Sequence, residues 1–114
     1  MSIQVSTHQV GDVSVMDVVG RITLGEGAST LRDTIREVVS KGNKKILLNL
    51  SEVSYIDSSG IGELVSAYTT VTNQGGILKL LGLTKRVKDL LQITKLYTVF
   101  EVFDSETTAV RSFS

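Results

Sequence analysis

Ile3, Val5 and Thr7 alternate with polar neighbours, the period of a half-exposed strand. Gln9-Val10-Gly11-Asp12 reads as a turn, and Val13, Val15 and the Val18-Val19 pair as a second strand that ends at Gly20. So short a connection makes the two strands antiparallel. Gly20 to Gly27 (GRITLGEG) holds three glycines and reads mostly as a loop. From Ala28 the period changes to that of a helix. Ala28, Leu31, Ile35, Val38 and Val39 share one face, opposite Arg32, Asp33, Arg36 and Glu37. Gly42 sits where a left-handed C-terminal cap is expected.

Ile46-Leu47-Leu48-Asn49-Leu50 is nearly continuous apolar sequence, as in a strand covered on both faces. Val53 to Ile56 is a second short apolar stretch and leads into Asp57-Ser58-Ser59-Gly60. Ile61, Leu64, Val65, Tyr68 and Val71 then form the buried stripe of a helix that Gly75-Gly76 stops. Ile77–Leu81 is a further strand. Thr84 can cap a helix with Val87, Leu90 and Leu91 inward. Val99–Phe103 is the last predicted strand, and Asp104 or Ser105 can cap a final helix with Ala109, Val110 and Phe113 inward. The order β-β-α-β-α-β-α-β-α predicts one α/β domain over residues 1–114. It has a mixed, mainly parallel sheet, an N-terminal antiparallel hairpin and about four helices.

Composition narrows the chemistry. Twelve basic and twelve acidic residues cancel, which argues against electrostatic capture of nucleic acid or of an anionic membrane. With no cysteine and a single histidine, His8, the sequence offers no thiolate or histidine-rich metal site, and no cofactor motif is present. Met1-Ser2-Ile3-Gln4-Val5 has neither the basic start nor the apolar run of a signal peptide, and no apolar run approaches the ~20 residues of a membrane span. The expected compartment is the cytoplasm.

The segment Asp57-Ser58-Ser59-Gly60-Ile61-Gly62-Glu63 joins an apolar stretch to a helix N-terminus, where free N–H groups favour an oxygen-bearing side chain and can accommodate a phosphate. Gly60 and Gly62 keep bulk away from the hydroxyls. Ser59, Gly62 and Glu63 are spaced to share a face. Gly62 in the first helical turn goes unrewarded unless something approaches closely. Asp57 has two readings: the cap of the helix, or the group that accepts a hydrogen bond from the serine and orients it for phosphoryl transfer. Lys85, Arg86, Lys88 and Lys95 read as a solvated helix face, Tyr68 as core, and Asn49 as a hydrogen-bonding residue within the fold. A serine hydrolase pairing Ser59 with His8 is a remote third option, because the glycine that precedes the serine in a nucleophile elbow is missing.

Tyr55-Ile56-Asp57-Ser58-Ser59-Gly60-Ile61-Gly62 resembles the signature of STAS domains of the bacterial anti-sigma factor antagonist class, and the resemblance spans nearly the whole chain. It implies a regulatory substrate and not an enzyme. An anti-sigma factor with serine kinase activity phosphorylates a signature serine, the unphosphorylated form binds that factor and frees the sigma factor, and a serine phosphatase resets the switch. By motif position it implies Ser59 as acceptor, with Ser58 as alternative. Partner contacts are expected from Asp57, Ser58, Gly60, Ile61, Gly62 and Glu63, and from Arg21, Thr23 and Glu26 of the preceding loop. Here that loop lacks the acidic character of the sporulation and stress-response antagonists. The expected state is a monomer or weak dimer. The alternative is a STAS subunit that docks without a phosphorylation cycle, in a stressosome-like scaffold or a lipid transporter.

Overall fold

The computed structural model describes residues 3–114; Met1 and Ser2, part of the stretch read against a signal peptide, lie outside them. The elements are β1 (Ile3–Val10), β2 (Val13–Ile22), α1 (Glu26–Ser40), β3 (Lys45–Ile56), α2 (Ser58–Asn73), β4 (Ile77–Leu81), α3 (Lys85–Ile93), a 3₁₀ turn (Tyr97–Val99), β5 (Val102–Phe103) and α4 (Glu106–Arg111). The strands lie in the sheet in chain order, β1 antiparallel to β2 and every later pair parallel.

Crossovers of one hand between successive neighbours place their helices on one face of a sheet. The main core follows this rule. Met16, Val18, Ile46, Leu48 and Leu50 of the sheet pack with Leu31 and Ile35 of α1, Leu64 of α2, and Val87 and Leu91 of α3. Alternate strand positions point the other way, and α4 covers them in a second cluster of Val13, Val15, Leu47, Leu81, Ala109 and Phe113. The reading of Ile46–Leu50 as covered on both faces therefore holds. Asn49 within it donates to Asp17 Oδ1 at 2.8 Å and accepts from the backbone and hydroxyl of Ser51.

Four boundaries differ from the sequence reading. The second strand does not stop at Gly20. That residue takes φ 115°, and the register shifts beside it, so the strand bends and continues through Arg21 and Ile22. The predicted loop Gly20–Gly27 shrinks to Thr23-Leu24-Gly25, with Glu26 already in α1. Val53–Ile56 is no separate stretch but the end of a single twelve-residue strand. The last strand is shorter than Val99–Phe103, because Tyr97–Val99 form a 3₁₀ turn. Capping is legible where side-chain oxygens start helices: Thr84 accepts from Val87 N–H, and Ser105 accepts from Thr108 N–H.

β3 outlasts its outer neighbour. Pairing with β4 ends at Asn49–Leu81, whereas pairing with β2 runs on to Ile22–Ile56. The ends of β2 and β3 thus project beyond β4, and the site is built on this projection.

On the face that α4 covers, Lys79 of β4 is buried. Its ammonium donates to the carbonyl and hydroxyl oxygens of Ser112 at 2.9 and 2.8 Å, lies 3.0 Å from Glu101, and sits 4.8 Å from the Phe113 ring centre. It ties the C-terminal turn to the sheet. Lys79→Ala lowers unfolding stability by about 2 kcal/mol in a denaturant titration, the range for hydrogen bonds to a charged group, and speeds hydrogen exchange in α4 while leaving α2 protected.

Candidate functional site

The projecting strand ends are pinned between two glycines. A Cβ on Gly27 of α1 would lie 2.5 Å from the Arg21 carbonyl oxygen, and a Cβ on Gly60 of α2 would lie 2.1 Å from that of Ile22. Both helices therefore begin in close contact with the end of β2, an approach that only glycine permits. Between them stands Asp57. One carboxylate oxygen accepts from Gly60 N–H at 2.8 Å and caps α2; the other accepts from Leu24 N–H at 3.2 Å and fixes the β2–α1 loop. Asp57 N–H in turn donates to the Ile22 carbonyl.

Asp57 makes the cap that the first of its two readings expects, and both of its oxygens accept from backbone N–H groups. Partial burial works to raise its pKa. The opposing donors, Gly60 and Leu24 foremost with its own N–H and that of Ser59, outweigh this and hold the carboxyl below its ordinary value of 3.8.

The predicted site residues separate by exposure. Ser58 opens α2 and is exposed, while Ser59 is half-buried. Gly62, one turn beyond Ser58, is exposed, and a Cβ there would meet nothing within 4 Å. Gly60 and Ile61 are buried, Ile61 at 2% exposure in the main core, so their expected place on a contact surface is corrected to packing. Glu63 leans onto α1, 3.8 Å from Arg32, with 17% of its side chain exposed; it does not share an open face with Gly62. Thr23 is half-buried and its carbonyl accepts from Ala28 N–H. Glu26 is exposed in the first turn of α1, where its charge suits the helix dipole. Leu24, at 78% exposure, stands out from the loop that Asp57 fixes.

Two residues were misjudged or passed over. Arg86 is not a free member of a solvated face. Its Nε donates to the Ile56 carbonyl at 3.2 Å, and its guanidinium lies 4.4 Å from the Tyr55 ring centre. Arg21 lies 4.8 Å from the same ring. Tyr55 therefore joins the end of β2 to the start of α3, a link between residues far apart in sequence that periodicity does not carry. His8 is held by Asp17 at 3.0 Å and approaches Glu106 on the α4 side of the sheet, so the fold does not bring it to Ser59.

Fold and site together define a small mixed-sheet α/β module whose distinctive feature is an exposed serine at the start of a helix. Residues 4–109 match the model of the STAS domain family, and the chain belongs to that family. It is 31% identical over 102 residues to the anti-sigma-B factor antagonist of Bacillus subtilis, spanning 90% of this chain and 92% of that one. It is 38% identical to the TM1081 homologue of Thermotoga neapolitana over 69 residues, 60% of this chain and 61% of that relative's length. The fold matches the Bacillus anti-sigma factor antagonist SpoIIAA in its unphosphorylated form (TM-score 0.79, 20% identity, 96% and 95% of the two chains) and in its phosphorylated form (TM-score 0.74, 18% identity, 99% and 100%). Among the described residues no helix is long and apolar enough to cross a membrane.

Two expectations follow from the packing. Gly60→Ala lowers stability by about 3 kcal/mol, as overpacking against backbone does, whereas Gly62→Ala raises it by up to about 1 kcal/mol; thermal unfolding of the two variants separates them. Because the pKa of Asp57 is depressed in the fold, its contribution is complete above the ordinary carboxyl value and is lost as pH falls through the lower folded value. Asp57→Ala therefore costs about 1 kcal/mol near neutral pH, and the gap to the wild type closes on acidification below pH 3.8 in paired urea titrations.

Proposed function

We propose that this chain is an anti-sigma factor antagonist that acts by partner switching. In its unmodified form it docks the Ser58–Gly62 surface onto an anti-sigma factor with serine kinase activity, and so frees a sigma factor. Transfer of the γ-phosphoryl group of ATP to a signature serine ends the docking, and a serine phosphatase restores it. The names of the relatives support the antagonist reading, and SpoIIAA exists in a phosphorylated form.

The observation that carries the reading is the exposed hydroxyl of Ser58 on a turn held rigid by Asp57, beside a glycine that packing does not require. Exposure favours Ser58 over Ser59 as acceptor, the reverse of the order that motif position implies. A phosphate adds about −1.5 to −2 charges and three acceptor oxygens. The start of α2 supplies N–H groups and a partial positive charge to meet them. The modified domain therefore stays folded while a partner face shaped for a neutral hydroxyl is repelled.

Incubation with the anti-sigma kinase encoded in the same genome and ATP, followed by intact mass measurement, yields one phosphate adduct in the wild type and in Ser59→Ala, and none in Ser58→Ala. Adduct persisting at full stoichiometry in Ser58→Ala moves the acceptor to Ser59. No adduct in the wild type with any such kinase removes the switch.

A further inference from the structure

The Tyr55 ring is shared by two guanidiniums, those of Arg21 at 4.8 Å and Arg86 at 4.4 Å from its centre. Among the described residues neither guanidinium is ion-paired, although Arg32, Lys41, Lys45, Lys79 and Lys85 are. Asp57, two residues after Tyr55, spends both oxygens on backbone N–H groups, and Asp89, three residues after Arg86, pairs with Lys85 at 2.6 Å. Two like charges gathered on one ring repel each other, and among the described residues no carboxylate forms an ion pair with either. Their positions are nevertheless fixed. Arg86 is anchored on the Ile56 carbonyl, two residues before Ser58, and Arg21 lies on β2 opposite Tyr55 in the register. Stacking orients a guanidinium while leaving N–H groups at its edge free to bind a carboxylate in the bidentate manner.

The Ile56 carbonyl that Arg86 holds is followed two residues on by the exposed Ser58, and the exposed loop tip Leu24, three residues after Arg21, is tied to that same turn through Asp57. Arginine and tyrosine beside an exposed apolar side chain have the composition of an interface anchor, and side chains already immobilised lose little entropy on docking. We propose that Arg21 and Arg86, held on Tyr55, are the cationic anchor for an acidic segment of the anti-sigma factor that docks over Ser58. This rests on the partner reading above and adds the charge of the partner's contact face.

The test is calorimetric titration of the full chain with the anti-sigma factor that phosphorylates it. Arg21→Glu and Arg86→Glu each weaken binding about tenfold, the double variant weakens it further, and wild-type affinity falls as salt is raised. Lys88→Glu, at an exposed position on α3, leaves it within about twofold. Arg86→Glu also loses the Ile56 contact, so Arg21→Glu, whose side chain makes no hydrogen bond or ion pair among the described residues, decides the matter if Arg86→Glu unfolds. Wild-type affinity in folded Arg21→Glu overturns the acidic anchor and leaves the antagonist reading standing. A wild-type chain that binds no anti-sigma factor removes both. Charge reversal that alters self-association in sedimentation, with partner affinity unchanged, assigns the surface to a second copy of this chain and likewise overturns the proposal.

Discussion

One carboxylate organises the end of the domain where β2 and β3 project beyond β4. Asp57 accepts from Leu24 N–H with one oxygen and from Gly60 N–H with the other, and so joins the β2–α1 loop to the first turn of α2. The contact is possible because Gly27 and Gly60 let both helices start against the end of β2. Without that approach, the loop and the helix would be separate surface features. With it, they form one platform, and the exposed groups on it (Leu24, Ser58, Gly62) hold fixed positions relative to each other.

A fixed platform suits a switch that works by charge instead of by refolding. A phosphoryl group on Ser58 would stand next to a helix start that already presents N–H donors, and Asp57 would remain bound to its own donors. The main core beneath, with Ile61 and Leu64 of α2 fully covered, gives the helix no freedom to shift in response. The message of such a modification is therefore read by whatever docks.

The sequence disclosed this much for physical reasons. Among the described residues, strand and helix periods placed the five strands and four α-helices in order, and polar side chains at helix starts marked Thr84 and, with Asp104 as the alternative, Ser105. The signature singled out the β3–α2 turn because Asp, Ser and Gly have distinct local roles there. What escaped was set by tertiary geometry. Gly20 looked like a strand end, yet it bends a strand that continues. Ile61 sits inside the signature but faces the core. Gly62 rather than Gly60 is the open glycine, a distinction that requires knowing what lies opposite each. Arg86 belonged by spacing to a solvated face, and only the projection of β3 beyond β4 brings Tyr55 and Ile56 within its reach.

The two proposals constrain each other. A partner that is acidic where it meets Arg21 and Arg86 is one that a dianion on Ser58 repels, since both the phosphate and the partner's carboxylates would seek the same positive end of the domain. On these proposals the arginines would attract the partner before modification, and the phosphate would both screen that attraction and add repulsion. Such an arrangement needs no net charge on the chain, which has none, because the asymmetry is local. Under this proposal the loop following β2 need not be acidic, because the charge that would select the partner is positive and sits at the strand ends, where an aromatic ring can hold it still.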